Sequence, residues 1–263
     1  MSFFADGHMV SVSVAVMMEI LNDEIPADLE PNASLPGVRP LGDKTWINVD
    51  ATYVQQVAYR RHLIARKRDA VLWQGQNATP AISEVYHEIL QRLPAFGFSL
   101  TSRHIFCPDG SEVDQEADNP LATLGKVVQE DICILQKQGD EHLLAAAILC
   151  FPAGWTLAEK AGRPLSRIHS RVDSYDASMA RRVQRMFDGV QVGRPIWRNN
   201  DLPYDNPDLF QPLTEAQAAK HPTSKDASAA PYLRAERQSI LRLPETQAVV
   251  FTIHTYVARV QPE

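Results

Sequence analysis

The densest run of polar side chains with recognition chemistry is Arg234, Glu236, Gln238 and Arg242. Spaced by two and four, they fall on one face of a β-strand, while Leu233, Ala235, Leu241 and Leu243 fall on the other. Guanidinium forks and amide or carboxylate groups suit bidentate recognition of carboxylates and amides. The charged face is therefore either the solvated outside of an antiparallel sheet or the floor of a cavity. One imidazole has a comparable setting. His169 lies in Pro164-Leu165-Ser166-Arg167-Ile168-His169-Ser170, after a loop that begins at Gly154-Trp155 and before a helical stretch from Asp173. A lone histidine is ordinarily a hydrogen-bonded structural or surface residue. Flanked by Ile168 and Val172 at a loop-to-helix junction, this ring can also project into a pocket. The other histidines, His8, His62, His87, His104, His142, His221 and His254, form no pair at i,i+2 or i,i+4. That speaks against a multi-histidine metal site and leaves a single-histidine metal or haem ligand open. No Gly-rich phosphate loop, G-x-S-x-G elbow or H-E-x-x-H pair occurs, so nucleotide-fold, serine-hydrolase and zincin chemistry have no support.

These residues need elements to hold them. Asp131 to Gln136 and Leu143 to Phe151 read as strands joined by a turn around Gly139, and Leu233 to Leu243 and Ala248 to Val257 as a second hairpin across Pro244-Glu245-Thr246-Gln247. Helical spacing predicts a helix over Thr52 to Arg68, with a basic C-terminal end that suits the helix dipole. A second helix is predicted from Thr79 to about Leu93, where Pro94 and Gly97 stop it, and the two are expected to pair. Asp173 to Phe187 carries Ala177, Ala180, Val183 and Phe187 on one stripe and reads as a helix. Pro108 to Asp118 reads as a polar, acidic loop, and Asp201 to Ala230, rich in Pro, Asp, Asn and Ala, as a long surface loop. Four prolines and two glycines between Ile25 and Gly42 suggest an extended arm. The expected organisation is an arm over residues 1–45 and one domain over 46–263. Its fold class is α+β, an antiparallel sheet packed on one face by helices, with an N-terminal helical extension.

At 263 residues and 44% hydrophobic content, the chain can bury a core without staples. Cys107, Cys133 and Cys150 are odd in number and widely spaced, which indicates neither a disulfide framework nor a zinc cage and suits a reducing, cytoplasmic setting. A formal charge of −6 argues against nucleic acid or an anionic membrane as a general partner. The apolar run Met9 to Leu21 is shorter than the roughly 20 residues a membrane span needs and lacks the basic flank of a secretory signal. It reads as an element docked on the domain.

The chain resembles the family of haem-dependent oxidative N-demethylase catalytic subunits, formerly a domain of unknown function. The resemblance rests on Phe151-Pro152-Ala153-Gly154-Trp155, then Lys160-x-Gly162-x-Pro164-Leu165-x-x-Ile168-His169, then Arg198-x-Asn200. It continues through Leu233-Arg234-x-Glu236-Arg237-Gln238, Arg242-Leu243-Pro244 and Val250-Phe251-Thr252-Ile253-x-Thr255-Tyr256. Weaker similarity reaches back to Trp46 and Asp50, so roughly Leu41 to the C-terminus is covered. The resemblance implies a PAS-like sheet holding haem b, oxygen activated at the iron, and a small secondary amine as substrate. Electrons would come from NADPH through a separate flavin and iron–sulfur reductase, because this chain shows no cluster motif and no dinucleotide fingerprint. Carried over position by position, His169 is the proximal haem ligand. Arg198, Arg234 and Arg237 are contacts to the haem or a substrate carboxylate. Glu236 is the group that stabilises a cationic amine or relays protons, and Gln238 and Tyr256 belong to the same wall.

Two places depart from the family pattern. Ser170-Arg171-Val172-Asp173 replaces x-P-V-P after the I-H pair, and Arg198-Asn199-Asn200-Asp201 lacks the tryptophan of R-x-N-W. Loss of that aromatic points to a substrate other than the simple amine, since a shared fold fixes neither reaction nor substrate. Two other functions stay open at this point: a non-enzymatic haem or gas sensor, although no output module such as a kinase or helix-turn-helix is present, and a degenerate homologue that has lost the site.

Overall fold

The computed structural model describes residues 19–29, 37–169, 175–220 and 230–260. Its strands are β1 (Arg39–Pro40), β2 (Leu72–Gln74), β3 (Ser99–Leu100), β4 (His104–Phe106), β5 (Glu112–Asp114), β6 (Asp131–Gln138), β7 (Glu141–Ile148), β8 (Ile196–Tyr204), β9 (Tyr232–Arg242) and β10 (Val249–Arg259). Its α-helices are α1 (Tyr53–Arg66), α2 (Arg68–Val71), α3 (Thr79–Leu90), α4 (Pro120–Val127), α5 (Leu157–Lys160), α6 (Leu165–Ile168), α7 (Ala177–Gly189) and α8 (Glu215–Lys220). The apolar run Met9 to Leu21 lies mostly outside the described residues, as do residues 30–36 of the arm.

Both expected hairpins form. Gly139, at φ +60°, supplies the left-handed backbone that the tight turn between β6 and β7 requires. β9 and β10 pair along their whole length, from Val249↔Arg242 to Arg259↔Tyr232. β10 then pairs β6, giving an antiparallel α+β, PAS-like sheet of order β1-β8-β9-β10-β6-β7-β2. The acidic segment Pro108 to Asp118 is not only loop: β5 within it completes a second sheet, β3-β4-β5.

The stretch after Asp201 also differs from its loop reading. It begins inside β8, which pairs β9 from Ile196↔Ile240 to Tyr204↔Tyr232. Asn199, Asn200, Asp201 and Pro203 carry little strand propensity, so the pairing is imposed by β9 rather than by local sequence. Among the described residues β1 pairs only Ile196 and Trp197 of β8. Farther on, Glu215–Lys220 is the short helix α8.

Helices α1 and α3 do not simply pair with each other. α4, started by Pro120 and capped by the Asn119 side chain accepting from Ala122 N at 3.0 Å, packs against both. Val57, Ile64, Ile82, Leu121 and Leu124 cover one face of the sheet, meeting Ile132, Ile148 and Val250. Leu157, Leu165 and Phe187 from α5, α6 and α7 pack on the opposite face against Leu135, Ile240 and Val249. A buried ion pair ties the first layer to the sheet. Asp131 accepts from Arg60 Nη1 at 2.7 Å and from the backbone of Cys150 and Phe151 at 2.6 and 2.9 Å. The three cysteines are unpaired and buried.

Candidate functional site

Strand parity sorts the site residues. Register places Arg198 opposite Gln238, and Gln238 opposite Ile253. Asn200, Glu236 and Thr255 form the next row, followed by Leu202, Arg234 and Val257. These rows share the face covered by α5, α6 and α7, because Ile240, Val249 and Ile253 on the same parity pack with Leu165 and Phe187. The cover is incomplete. On the α1 side of the two central strands Ser239, Thr252 and His254 are each 1% exposed, whereas Gln238 and Phe251 on the other side are only half-buried. This face therefore stays partly open, as a shallow cleft, at Gln238 and Phe251, and is closed at Glu236, Ile253 and Thr255. A groove of about 410 Å³ between α7 and the start of β8, lined by Met186, Gly189, Val190, Gln191, Arg194 and Ile196, opens beside it.

His169 ends α6 and lies within electrostatic reach of Lys160 and Arg198. Its Nδ1 lies 2.9 Å from the Leu165 carbonyl. A carbonyl only accepts, so Nδ1 carries the proton and Nε2 the lone pair. Nε2 makes no hydrogen bond among the described residues. Burial, reinforced by Lys160 and Arg198, lowers the ring's pKa despite the bond to Leu165 and keeps the imidazole neutral. Tyr175 stacks on it at 4.6 Å. A neutral ring with one nitrogen anchored to backbone and the other bare is the arrangement of a metal-binding histidine. The charged substitutions at Arg171 and Asp173 lie outside the described residues.

Arg198 has a fully buried Nε with no partner, and burial lowers its pKa against the pull of Glu236 and Asp201. No carboxylate bonds that Nε, and Glu236 and Asp201 act on the guanidinium from a distance. Glu236, by contrast, is held on both oxygens: Oε1 accepts from Arg234 Nε at 3.3 Å and Oε2 from Gln238 Nε2 at 2.9 Å. Arg234 is itself anchored, with Nη1 donating to Leu209 O at 3.1 Å and Nη2 to Phe151 O at 2.6 Å. It braces Glu236 against two loops and spends three of its five N–H groups in doing so. Trp155, Ile168 and Ile196 add partly exposed apolar surface on this side.

Two of the residues expected here are on the other face. Arg237 donates to both oxygens of Asp28 at 2.8 Å and lies 4.7 Å over the Trp197 ring. Tyr256 packs 4.6 Å from the His254 ring and is 4% exposed. Both follow from odd-to-even parity against Glu236: a residue one step along a strand points the opposite way. The departure at Asp201 falls on that far face too, accepting from Asn199 Nδ2 at 3.3 Å. Arg242 shares the site parity but works as a brace, donating to the Phe187 and Val190 carbonyls at 2.7 and 2.6 Å at the C-terminal end of α7.

One site residue was not singled out from sequence. Thr255 is 1% exposed and its Oγ1 is buried without a partner. Its signal was the same period-two pattern that marked Glu236, read one strand over.

The cleft therefore joins an apolar wall, an arginine whose Nε has no hydrogen-bond partner and a neutral imidazole with a free lone pair. Those features fit a flat, apolar, carboxylate-bearing cofactor with a metal at its centre. Among the described residues no helix is long and apolar enough to cross a membrane. A protein-family model described as haem-dependent oxidative N-demethylase, alpha subunit-like, matches residues 37–262.

Proposed function

Since the chain belongs to the haem-dependent oxidative N-demethylase, alpha subunit-like family, we propose that it is an oxidoreductase subunit that binds haem b through His169 and oxidises a small amine or related molecule with O2. The observation that carries this reading is the His169 ring, neutral and fixed by Leu165 in the tautomer whose bare Nε2 can ligate iron. Bound haem supplies the iron at which oxygen is activated. This chain's residues do the rest. Arg198 pairs a haem propionate, which gives its buried Nε the partner it lacks. Glu236, braced by Arg234 and oriented by Gln238, takes up a proton at its carboxylate or faces a cationic amine. Trp155, Ile168, Ile196 and Phe251 keep the cleft apolar and limit water. Electrons reach the site from NADPH through a separate flavin and iron–sulfur reductase, in a reducing cytoplasm that suits three unpaired cysteines.

The test is an absorption spectrum of the purified, haem-reconstituted protein, oxidised, dithionite-reduced and carbon monoxide-treated. A Soret band is expected that is abolished or sharply weakened in His169→Ala. An unchanged haem spectrum in that variant would remove His169 as the ligand.

A further inference from the structure

The arginines of α7 crowd onto its outer side. At about 3.6 residues per turn, Arg181, Arg185 and Arg182 fall within about 100° of the helix circumference, diametrically opposite the buried Phe187, and all three are exposed. Arg181 and Arg185 are one turn apart, where like charges repel. Neither side chain has a hydrogen-bond or ion-pair partner among the described residues. The acids at the two ends of the helix are already engaged: Asp176 accepts from Met179 N at 2.7 Å, and Asp188 from Lys137 Nζ at 2.6 Å. A turn after the helix extends the patch. Arg194 N donates to Gln191 O at 3.1 Å, and Gly193, at φ +72°, supplies the left-handed backbone that this turn needs. The turn presents Val192, 44% exposed, and the exposed Arg194. Arg242 fixes its base by donating to the Val190 carbonyl at 2.6 Å. The groove of Met186, Gly189, Val190 and Ile196 adjoins helix and turn alike, with Arg194 in its wall. An apolar centre thus carries a basic rim, on a chain whose formal charge is −6.

We propose that this face docks the iron–sulfur module of the electron donor, an acidic one-electron carrier, an inference that rests on the haem reading above. A cluster ligated by thiolates is net negative and becomes more so on reduction. A basic face therefore holds the loaded carrier more strongly than the spent one. The carrier gives up one electron, its cluster going from reduced to oxidised, and the ferric iron of bound haem is the acceptor. The groove is continuous with the site: Ile196 is two residues from Arg198 on the same face of β8, about 7 Å along the strand. An apolar centre inside a charged rim is also the anatomy of a protein–protein contact. An extended polyanion such as nucleic acid or a membrane would run beyond the patch onto a chain of negative overall charge, whereas a compact partner covers the patch alone.

The probe is a plant-type two-iron ferredoxin, whose affinity for the apoprotein is measured by calorimetry at low and raised salt. Wild type is compared with Arg181→Gln combined with Arg185→Gln, and with a control that removes the same charge elsewhere, Arg66→Gln combined with Arg103→Gln. Arg66 ends α1 and Arg103 lies between β3 and β4, both exposed. Wild type is expected to bind saturably, and binding should weaken about fivefold or more in the α7 variant and with salt, but by less than about twofold in the control. Arg194→Gln, outside the helix, should weaken it by about twofold and keeps the test independent of the stability of α7. With haem b reconstituted, reduction by reduced ferredoxin should slow by a similar factor in the α7 variant, while reduction by dithionite and the melting temperature stay at wild type. Equal weakening in the α7 and control variants overturns the inference, by showing a response to net charge alone. A wild-type apoprotein that does not bind ferredoxin also overturns it, whether or not anionic vesicles or duplex DNA bind instead. A wild type that binds ferredoxin through the α7 arginines yet shows no Soret band sinks the haem reading and leaves the docking face standing.

Discussion

Arg234 and Arg237 are three residues apart on one strand and have unrelated occupations. Arg234 braces Glu236 on the cleft side, and Arg237 clamps Asp28 on the far side. Their separation is odd, and an odd step along a strand reverses the face. The same rule separates Tyr256 from Thr255, its immediate neighbour. What each polar group then does depends on whether its capacity is already met. Glu236 keeps two donors and stays positioned whether or not its charge is present. Glu236→Gln is therefore expected to retain the Soret band and lose turnover by about 10²-fold or more, the usual scale for a lost acid–base group. Oxygen consumption with the reduced variant measures this, and full activity would take Glu236 out of the mechanism.

Among the elements, α4 sets how closely the α1 layer approaches the sheet. Gly125 allows it, since a Cβ there would lie 2.6 Å from Ile148 Cγ1 and 2.9 Å from Ile64 Cδ1. Alanine improves helix propensity by about 1 kcal/mol, but overpacking a fixed core costs about 1–3 kcal/mol. The Ile148 atom is close to the backbone of a central sheet strand and has little room to yield. Gly125→Ala is thus expected to destabilise by roughly 1–2 kcal/mol, read as a lower urea midpoint with an unchanged slope; a higher midpoint would show that the layer relaxes freely. On the opposite face α5 and α6 are single turns, and Arg242 fastens the end of the longer α7 to β9.

For the whole molecule, the seam between the N-terminal segment and the sheet is electrostatic. His254 is 1% exposed, with Glu130 2.8 Å from Nδ1 and Asp50 3.3 Å from Nε2. Asp50 also accepts from Asn22 at 3.0 Å, and Asn22 N donates to Val257 O at 2.7 Å. Burial works against a charge on His254, but the two carboxylates outweigh it and push the pKa up to about 9. The folded value exceeds the unfolded one of about 6.5. The imidazolium's stabilisation is therefore complete below about pH 6.5 and fades as pH rises through about 9. A loss on the order of 3 kcal/mol is expected across that window. Urea unfolding of wild type should show the decline and His254→Gln should flatten it; a wild-type stability independent of pH between these limits would contradict the charged triad.

The sequence by itself determined the two hairpins, the helices over Thr52 to Arg68 and Thr79 to Leu93, and the polar face of β9, because periodicity and turn chemistry are local. It also carried the family motifs that bring His169, Arg198 and Glu236 into one reading. Tertiary structure alone decided that β8 is a strand, since its residues gain that state only by pairing with β9. It alone showed α4 against both α1 and α3, and which of the two sheet faces stays partly open. Above all, the engagement of Arg234 and the unpaired Thr255 hydroxyl depend on groups brought together from distant segments, whereas the bond from His169 to Leu165 lies within the turn of α6. Whether a polar atom is satisfied is a property of its surroundings in space, which the order of residues does not carry.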